Sequence, residues 1–213
     1  MAATKLIAMH QNKGRSVMQC LKDRTDYAKN GEKTEDGKYI SSYKCQPDFV
    51  DWEFAQSKID YLKKTWRQPK GDVIAYQIRQ SFKPGEVTPE EAHQIGVEWA
   101  EKVFGKKHMV LCATHTDRGH IHNHFAVCPY DMYGKHWYAN KKSMRMCRAI
   151  SDEIALAHGL EIIEHPKKSY CHKCGEYKAR KEGRSWKQKL CDDIDNAIMK
   201  DNVRSIDDLL KEL

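Results

Sequence analysis

Histidines at alternate positions, His120, His122 and His124, run straight into Phe125-Ala126-Val127, and His115 closes another strand-like stretch, His108 to His115, just before them. Side chains alternate across a strand, so a strand from His120 to Cys128 sends all three imidazoles to one face. The link between the two stretches is too short for the crossover that parallel strands require, which makes them an antiparallel hairpin. Four of the chain's 11 histidines fall within residues 115–124. Neutral imidazole is the commonest metal-binding side chain near neutral pH. A one-sided row of imidazoles needs a metal, a phosphate or an acidic partner. The bland alternative is a surface hairpin rich in histidine.

The rest of the chain builds around that hairpin. Thr4 to His10 alternates as a first strand. Ser16-Val17-Met18-Gln19 fits a capping box that opens a helix to about Asn30, with Gly31 as its stop. Glu32 to Lys38 reads as a polar loop and Tyr39 to Cys45 as a strand. Asp48 to Trp66 places Phe49, Trp52, Ala55, Ile59, Leu62 and Trp66 at helical spacing. Asp72 to Phe82 alternates as a strand. Thr88-Pro89-Glu90-Glu91 starts a helix that buries Ala92, Ile95, Trp99 and Val103 and stops at Gly105. Lys141 to His158 is a helix ended by Gly159, Leu160 to Ile163 a short strand, and Ser185 to Met199 and Ser205 to Leu213 two more helices. The expected fold class is α+β: a central antiparallel sheet covered by helices.

A length of 213 residues suits one large domain with a small appendage. The net charge of +7 favours an anionic partner. The excess is local, with nine Lys/Arg and two Glu from Lys167 to Lys189, followed by seven Asp/Glu against three Lys/Arg from Leu190 onward. Eight cysteines at irregular spacing, with Cys20, Cys112 and Cys128 among apolar neighbours, point to a reducing, cytosolic setting. No apolar run is long enough for a membrane span. The chain stops inside an expected helix, as an excised part of a longer protein would.

An open transition-metal site uses about three protein ligands and a free position. His122 and His124 supply two from one strand, and His115 can face them across the hairpin. Asp117 is placed to receive a ring N–H and fix a ligand's tautomer. His120 is either a third ligand from that strand or a phosphate donor at the rim.

The run His115-x-Asp117-x-x-His120-x-His122-x-His124 resembles the metal motif of MobA/MobL-type conjugative relaxases, members of the HUH endonuclease class. Asp26-Tyr27-Ala28-Lys29-Asn30-Gly31-Glu32-Lys33-Thr34 resembles their nucleophile segment, with Gly31 where the family carries Pro. Gln80-Ser81-Phe82-Lys83-Pro84-Gly85-Glu86 resembles their middle motif. The resemblance implies an HUH-relaxase palm and a catalytic domain over residues 1–165, followed by a basic helical extension over 166–213. It implies His115, His122 and His124 as ligands of one divalent ion, Mn or Mg in function, although all-imidazole ligation also suits Zn, Ni or Co. It further implies that Tyr27 attacks one DNA strand at a transfer origin to leave a 5′-phosphotyrosine. Tyr39, Tyr43 and His10 are the fallback nucleophiles. A phenol has a pKa near 10, so a nearby cation must favour the phenolate or the transition state.

Arg15, Lys22, Arg24, Lys29 and Lys33 surround the Tyr27 segment, Arg79 and Lys83 flank the middle motif, and Lys141, Lys142, Arg145 and Arg148 mark one helix. These are the expected phosphate contacts. Tyr133, Trp137 and Tyr138, interleaved with Lys135 and His136, are expected to stack on bases. The implied partner is origin DNA, single-stranded at the nick with flanking duplex or a hairpin, together with an accessory relaxosome protein. The implied setting is the bacterial cytoplasm, from which the protein travels with the transferred DNA. Cys171-His172-Lys173-Cys174 invites zinc, with His165 and Cys191 to complete four ligands, or forms a basic connector. Three other functions fit parts of the pattern: a rolling-circle replication initiator, a histidine-metal hydrolase acting on a small molecule, and a DNA-binding module with structural histidines.

Overall fold

The computed structural model describes residues 3–69, 71–105, 107–164, 174–200, 203 and 205–212. The chain divides into two compact units, Met1–Glu164 and His165–Leu213. The first is built on five antiparallel strands: β1 (Ala3–His10), β2 (Ile40–Tyr43), β3 (Val73–Ser81), β4 (His108–His115) and β5 (His122–Asp131), in the order β1-β3-β5-β4-β2. Its helices are α1 (Val17–Lys29), α2 (Gly31–Thr34), α3 (Val50–Thr65), α4 (Pro89–Phe104) and α5 (Lys141–Ala157). The second unit holds α6 (Cys174–Lys181), α7 (Trp186–Ile198) and α8 (Ile206–Glu212). This is the expected α+β architecture.

Two helical layers sandwich the sheet. On one face Cys20, Leu21 and Ala28 of α1 and Val50, Phe54 and Tyr61 of α3 pack against Leu111, Ala113, Ala126 and Cys128. On the other, Ile95, Trp99 and Phe104 of α4 and Cys147 and Ile154 of α5 pack against Tyr76, Ile78, Cys112, Phe125 and Val127. Covered on both sides, β5 is buried along its whole length. The helix starts follow their sequence signals. Thr88 and Glu91 close a reciprocal capping box with Pro89 in the first turn, and the Ser16 side chain accepts from Gln19 N. Gly159, at φ +72°, follows the end of α5 in the left-handed conformation that a Cβ resists.

Several expectations need correction. α1 ends at Lys29 as expected, but the break falls at Asn30 rather than Gly31: the Asn30 side chain accepts from Glu32 N and opens α2, which runs into the segment expected to be a loop. The buried stripe of α3 is Val50, Phe54 and Tyr61, whereas Phe49, Trp52, Ile59 and Trp66 are exposed. The aromatic stripe obeys the same 3.6-residue period, so periodicity alone could not choose the inward face. Residues 160–163 form no strand. β5 begins at His122, leaving His120 in the preceding turn. The helix α6 was not expected. Cys20, Cys112, Cys128 and Cys147 are buried free thiols. The zinc reading rests on His165, Cys171, His172 and the Cys174 side chain, which lie outside the described residues, while Cys191 is exposed. Among the described residues no helix is long and apolar enough to cross a membrane.

Candidate metal centre and nucleophile

The β4–β5 register sets His115 opposite His122 and Ala113 opposite His124. Directly opposed residues share a face, so His115, His122 and His124 all project from the side covered by α1 and α3. Their ring centroids lie 5.2, 4.3 and 5.0 Å apart for the pairs 115–122, 115–124 and 122–124. One nitrogen from each can be chosen so that all three lie within 4.8 Å of one another, and no other such group of potential ligands occurs among the described residues.

The hydrogen bonds specify which nitrogens are free. His115 Nε2 lies 2.9 Å from the Ala28 carbonyl, which can only accept. Nε2 therefore donates, and Nδ1 keeps its lone pair. That Nδ1 is buried and has no partner among the described residues, a costly arrangement unless a ligand meets it. His122 Nδ1 faces the His120 carbonyl at 3.3 Å, which can only accept, so Nδ1 donates and Nε2 keeps the lone pair. His124 Nδ1 lies 2.7 Å from the Gln77 amide nitrogen. An amide offers either a donor or an acceptor, so Gln77 can support whichever tautomer the site demands. Burial lowers the affinity of all three rings for a proton. His115 is lowered, His122 is pushed down to about 4 and His124 to about 2, with neighbouring cationic and imidazole groups adding to the effect of burial. Three neutral imidazoles with an orphaned lone pair among them suit a divalent transition ion.

The expected Asp117 contact with a ligand ring is not made among the described residues. Thr116 N donates to the Lys33 carbonyl, which draws the turn toward α2, and Asp117 instead faces the Lys33 ammonium at 3.7 Å. Backbone carbonyls and Gln77 orient the rings, and no sequence motif signals a carbonyl. His120 stays at the rim, its ring 5.1 Å from that of His122.

Tyr27, in the last turn of α1, reaches the cluster. Its ring stands 5.8 Å from His115 and 5.9 Å from His124, and it is 44% exposed. The Lys33 ammonium lies 4.0 Å over the ring centroid. The next residue, Ala28, holds His115 through its carbonyl, so one helix end positions both groups. The fallback residues are placed elsewhere. Tyr39 is buried with its hydroxyl on Glu90, and His10 pairs with Asp72. Tyr43 lies at the far end of β2, opposite Val110.

The basic residues separate into two groups. Arg79 lies beside His124 in the sheet register and Lys33 beside Tyr27. Lys22 is exposed on α1, Arg15 pairs with Asp23, Arg24 donates to the His10 carbonyl, Lys29 to that of Pro47, and Lys83 pairs with Glu161. Lys141, Lys142, Arg145 and Arg148 are exposed on α5, which covers the opposite face of the sheet and so does not adjoin the imidazoles. In the aromatic group, Tyr133 and Tyr138 are exposed, but Trp137 packs edge-on against Tyr76 and Phe104.

A family model described as "Relaxase: MobA/VirD2-like, nuclease domain" matches residues 27–160. A protein named rlx from Staphylococcus aureus is 36% identical over 160 residues, covering 74% of this chain and 49% of the relative. The group II intron-interrupted relaxase LtrB of Lactococcus lactis is 31% identical over 110 residues, covering 43% of this chain and 19% of the relative. The chain thus spans about half the length of the rlx relatives it matches. The MobM relaxase domain (MOBV), in a Mn-bound crystal structure with plasmid oriT DNA, superposes with a TM-score of 0.59 at 14% identity, covering 84% of this chain and 98% of that one. At that identity the likeness is one of fold.

Proposed function

Because the chain belongs to the MobA/VirD2-like relaxase nuclease family, we propose that it nicks and rejoins one DNA strand at a transfer origin through a covalent tyrosine intermediate. The observation that carries this reading is the position of Tyr27, with two imidazoles under 6 Å from its ring and an ammonium over it.

The Tyr27 oxygen attacks the scissile phosphorus. A phosphorus–oxygen bond to tyrosine forms, the bond to the 3′ oxygen breaks, and the products are a 5′-phosphotyrosine and a free 3′-OH. The proton that Tyr27 loses ends, through solvent at the half-open rim, on the departing oxygen. The reverse reaction rejoins the strand. Lys33 holds positive charge over the ring as its oxygen becomes anionic, and Asp117 restrains Lys33. His115, His122 and His124 would hold one divalent ion, which when bound withdraws charge from the phosphate oxygens. Mn or Mg would serve in function, and the donor set also accommodates Zn, Ni or Co. The Mn-bound, DNA-bound state of the MobM domain supports this reading.

Arg79 and His120 are the phosphate contacts adjoining the cluster, and Lys22, Arg24 and Arg15 extend the basic surface along α1. The substrate is single-stranded at the nick with duplex or a hairpin beside it. An accessory relaxosome protein assists, and the reaction takes place in the bacterial cytoplasm. The test is incubation of the protein with labelled single-stranded origin oligonucleotides and Mn. Protein-linked label that chelator prevents supports the reading, and its absence on every origin strand tested overturns it.

A further inference from the structure

The face that carries the imidazoles is only partly roofed. Its rows follow from the pairing of three strands. Lys5 of β1 lies opposite Arg79 of β3, and Arg79 lies opposite His124 of β5. Ala3 lies opposite Ser81, and Ser81 opposite His122. Opposed residues share a face, so Lys5, Arg79 and His124 form one row and Ala3, Ser81 and His122 the next. Toward the other end of β1 this face is closed, since Met9 and its neighbour Ala75 are buried beneath the helical layer. At the near end it is open: Ala3 and Lys5 are exposed while Thr4, which points the other way, is buried. β1 is also the edge of the sheet.

Among the described residues the two cations of the row have no ion-pair partner to explain them. Arg79 makes no ion pair among the described residues, and its Nε is buried without a hydrogen bond. Lys5 likewise makes no ion pair among the described residues, on a strand whose exposed positions carry no acid. A buried, unpaired guanidinium nitrogen is costly unless an anion completes it. Strands are about 4.8 Å apart, which puts the Lys5 backbone about 10 Å from that of His124, within the reach of one extended lysine side chain and one further nucleotide. Tyr27, at the end of α1, stands over both His115 and His124, with the Lys33 ammonium of α2 over its ring.

We propose that Lys5 and Arg79 form a subsite for backbone phosphates of the DNA strand, so that the strand leaves the imidazole cluster over β3 and crosses the open edge at β1. Arg79 takes the phosphate nearest the cluster and Lys5 the next one outward. Lys5 lies outside every motif that suggested DNA contact. This inference rests on the reading of the chain as a relaxase.

The experiment measures binding of a short fluorescent oligothymidine across a salt series, using Tyr27→Phe protein so that binding stays non-covalent. Each lost phosphate contact lowers the slope of log affinity against log salt by about 0.7 for a single strand. Lys5→Ala is expected to lower it by that amount while Mn affinity stays unchanged. Arg79→Gln in addition is expected to double the loss. Lys142→Ala, on the opposite face, is expected to leave the slope as it was. An unchanged slope in Lys5→Ala, or an equal loss in Lys142→Ala, overturns the subsite. Because Lys5 is exposed on an edge strand, its replacement leaves the core intact, and a melting curve matching the parent's verifies this. Adduct formation by the otherwise unaltered protein is measured in parallel. If adducts form and the Lys5 slope does not move, the subsite fails and the relaxase reading stands. If no adduct and no oligonucleotide binding occur, the relaxase reading itself fails.

Discussion

Replacing Gly96 with Ala tests how closely the sheet must be held from behind for the three imidazoles to meet. Gly96 lies on the buried side of α4, and a Cβ there would sit 2.5 Å from Asn123 Nδ2, 3.0 Å from Asn123 Cγ and 3.2 Å from Cys112 Sγ. The Asn123 amide cannot swing aside freely. It accepts from Thr114 Oγ1 at 2.7 Å and donates to Gln80 Oε1 at 3.0 Å and to the Ala92 carbonyl at 2.7 Å. Overpacking of this kind costs about 1–3 kcal/mol, and displacing one of these hydrogen bonds about 1 kcal/mol more. Alanine's helix propensity returns about 1 kcal/mol. The net loss is about 1–3 kcal/mol, a fall in melting temperature of roughly 2–12 °C for a protein of this size. Circular dichroism melts of the metal-free protein measure it. In an Asn123→Ala background only the 3.2 Å approach to Cys112 Sγ remains, so the same change should cost clearly less than it does in the parent. Since Asn123 stands between His122 and His124 in sequence, Gly96→Ala should also weaken Mn binding. A Gly96→Ala protein that melts with or above its parent would refute the reasoning, because α4 would then not press on Asn123.

Three further outcomes are expected. His122→Ala should abolish high-affinity Mn binding measured by calorimetry and abolish DNA nicking, while the far-ultraviolet spectrum stays that of the parent; full nicking in this variant removes the triad from the mechanism. Lys33→Ala should slow adduct formation by about 10²-fold with Mn affinity retained; an unchanged single-turnover rate would show that Lys33 does not act on Tyr27. The third outcome concerns pH. The folded protein keeps His122 and His124 neutral down to about 4 and about 2, whereas the unfolded chain takes up those protons below about 6.5. The unfolded state thus binds more protons in that window, and metal-free stability should be full above pH 6.5 and fall as pH drops toward 4. Melting temperatures that stay flat over that range contradict the burial of the triad.

The parts of this protein that the sequence made legible are those in which a local rule and the tertiary fold agree. Alternation and a short link defined the β4–β5 hairpin and the common face of His115, His122 and His124. Thr88 to Glu91 announced α4 because a capping box is satisfied within one turn. Tyr27 came from family resemblance rather than from any pattern, since one tyrosine on a helix carries no sign of what it faces. The inward side of α3 was not legible, because Phe49, Trp52, Ile59 and Trp66 repeat as regularly as the buried Val50, Phe54 and Tyr61. The α5 cations were expected as phosphate contacts on charge alone, and composition does not record which side of the sheet a helix covers. The carbonyls of Ala28 and His120, which orient two imidazoles, carry no side-chain signal at all. Lys5, the proposed outer phosphate contact, carries no sequence signal for a related reason: its relation to His124 exists only through two strand registers, β1 with β3 and β3 with β5.

The central claim is that Tyr27 becomes joined to DNA, and the most direct measurement is the mass of the peptide that carries the nucleotide. The protein is incubated with a single-stranded origin oligonucleotide and Mn, then digested with nuclease and trypsin. Cleavage after Arg24 and Lys29 isolates the segment Thr25-Asp26-Tyr27-Ala28-Lys29. The expected result is a phosphonucleotide on that peptide, fragmenting to place it on Tyr27, and no protein–DNA adduct in Tyr27→Phe. A nucleotide on the peptide of Tyr39, Tyr43 or His10, or an undiminished adduct in Tyr27→Phe, would contradict the claim.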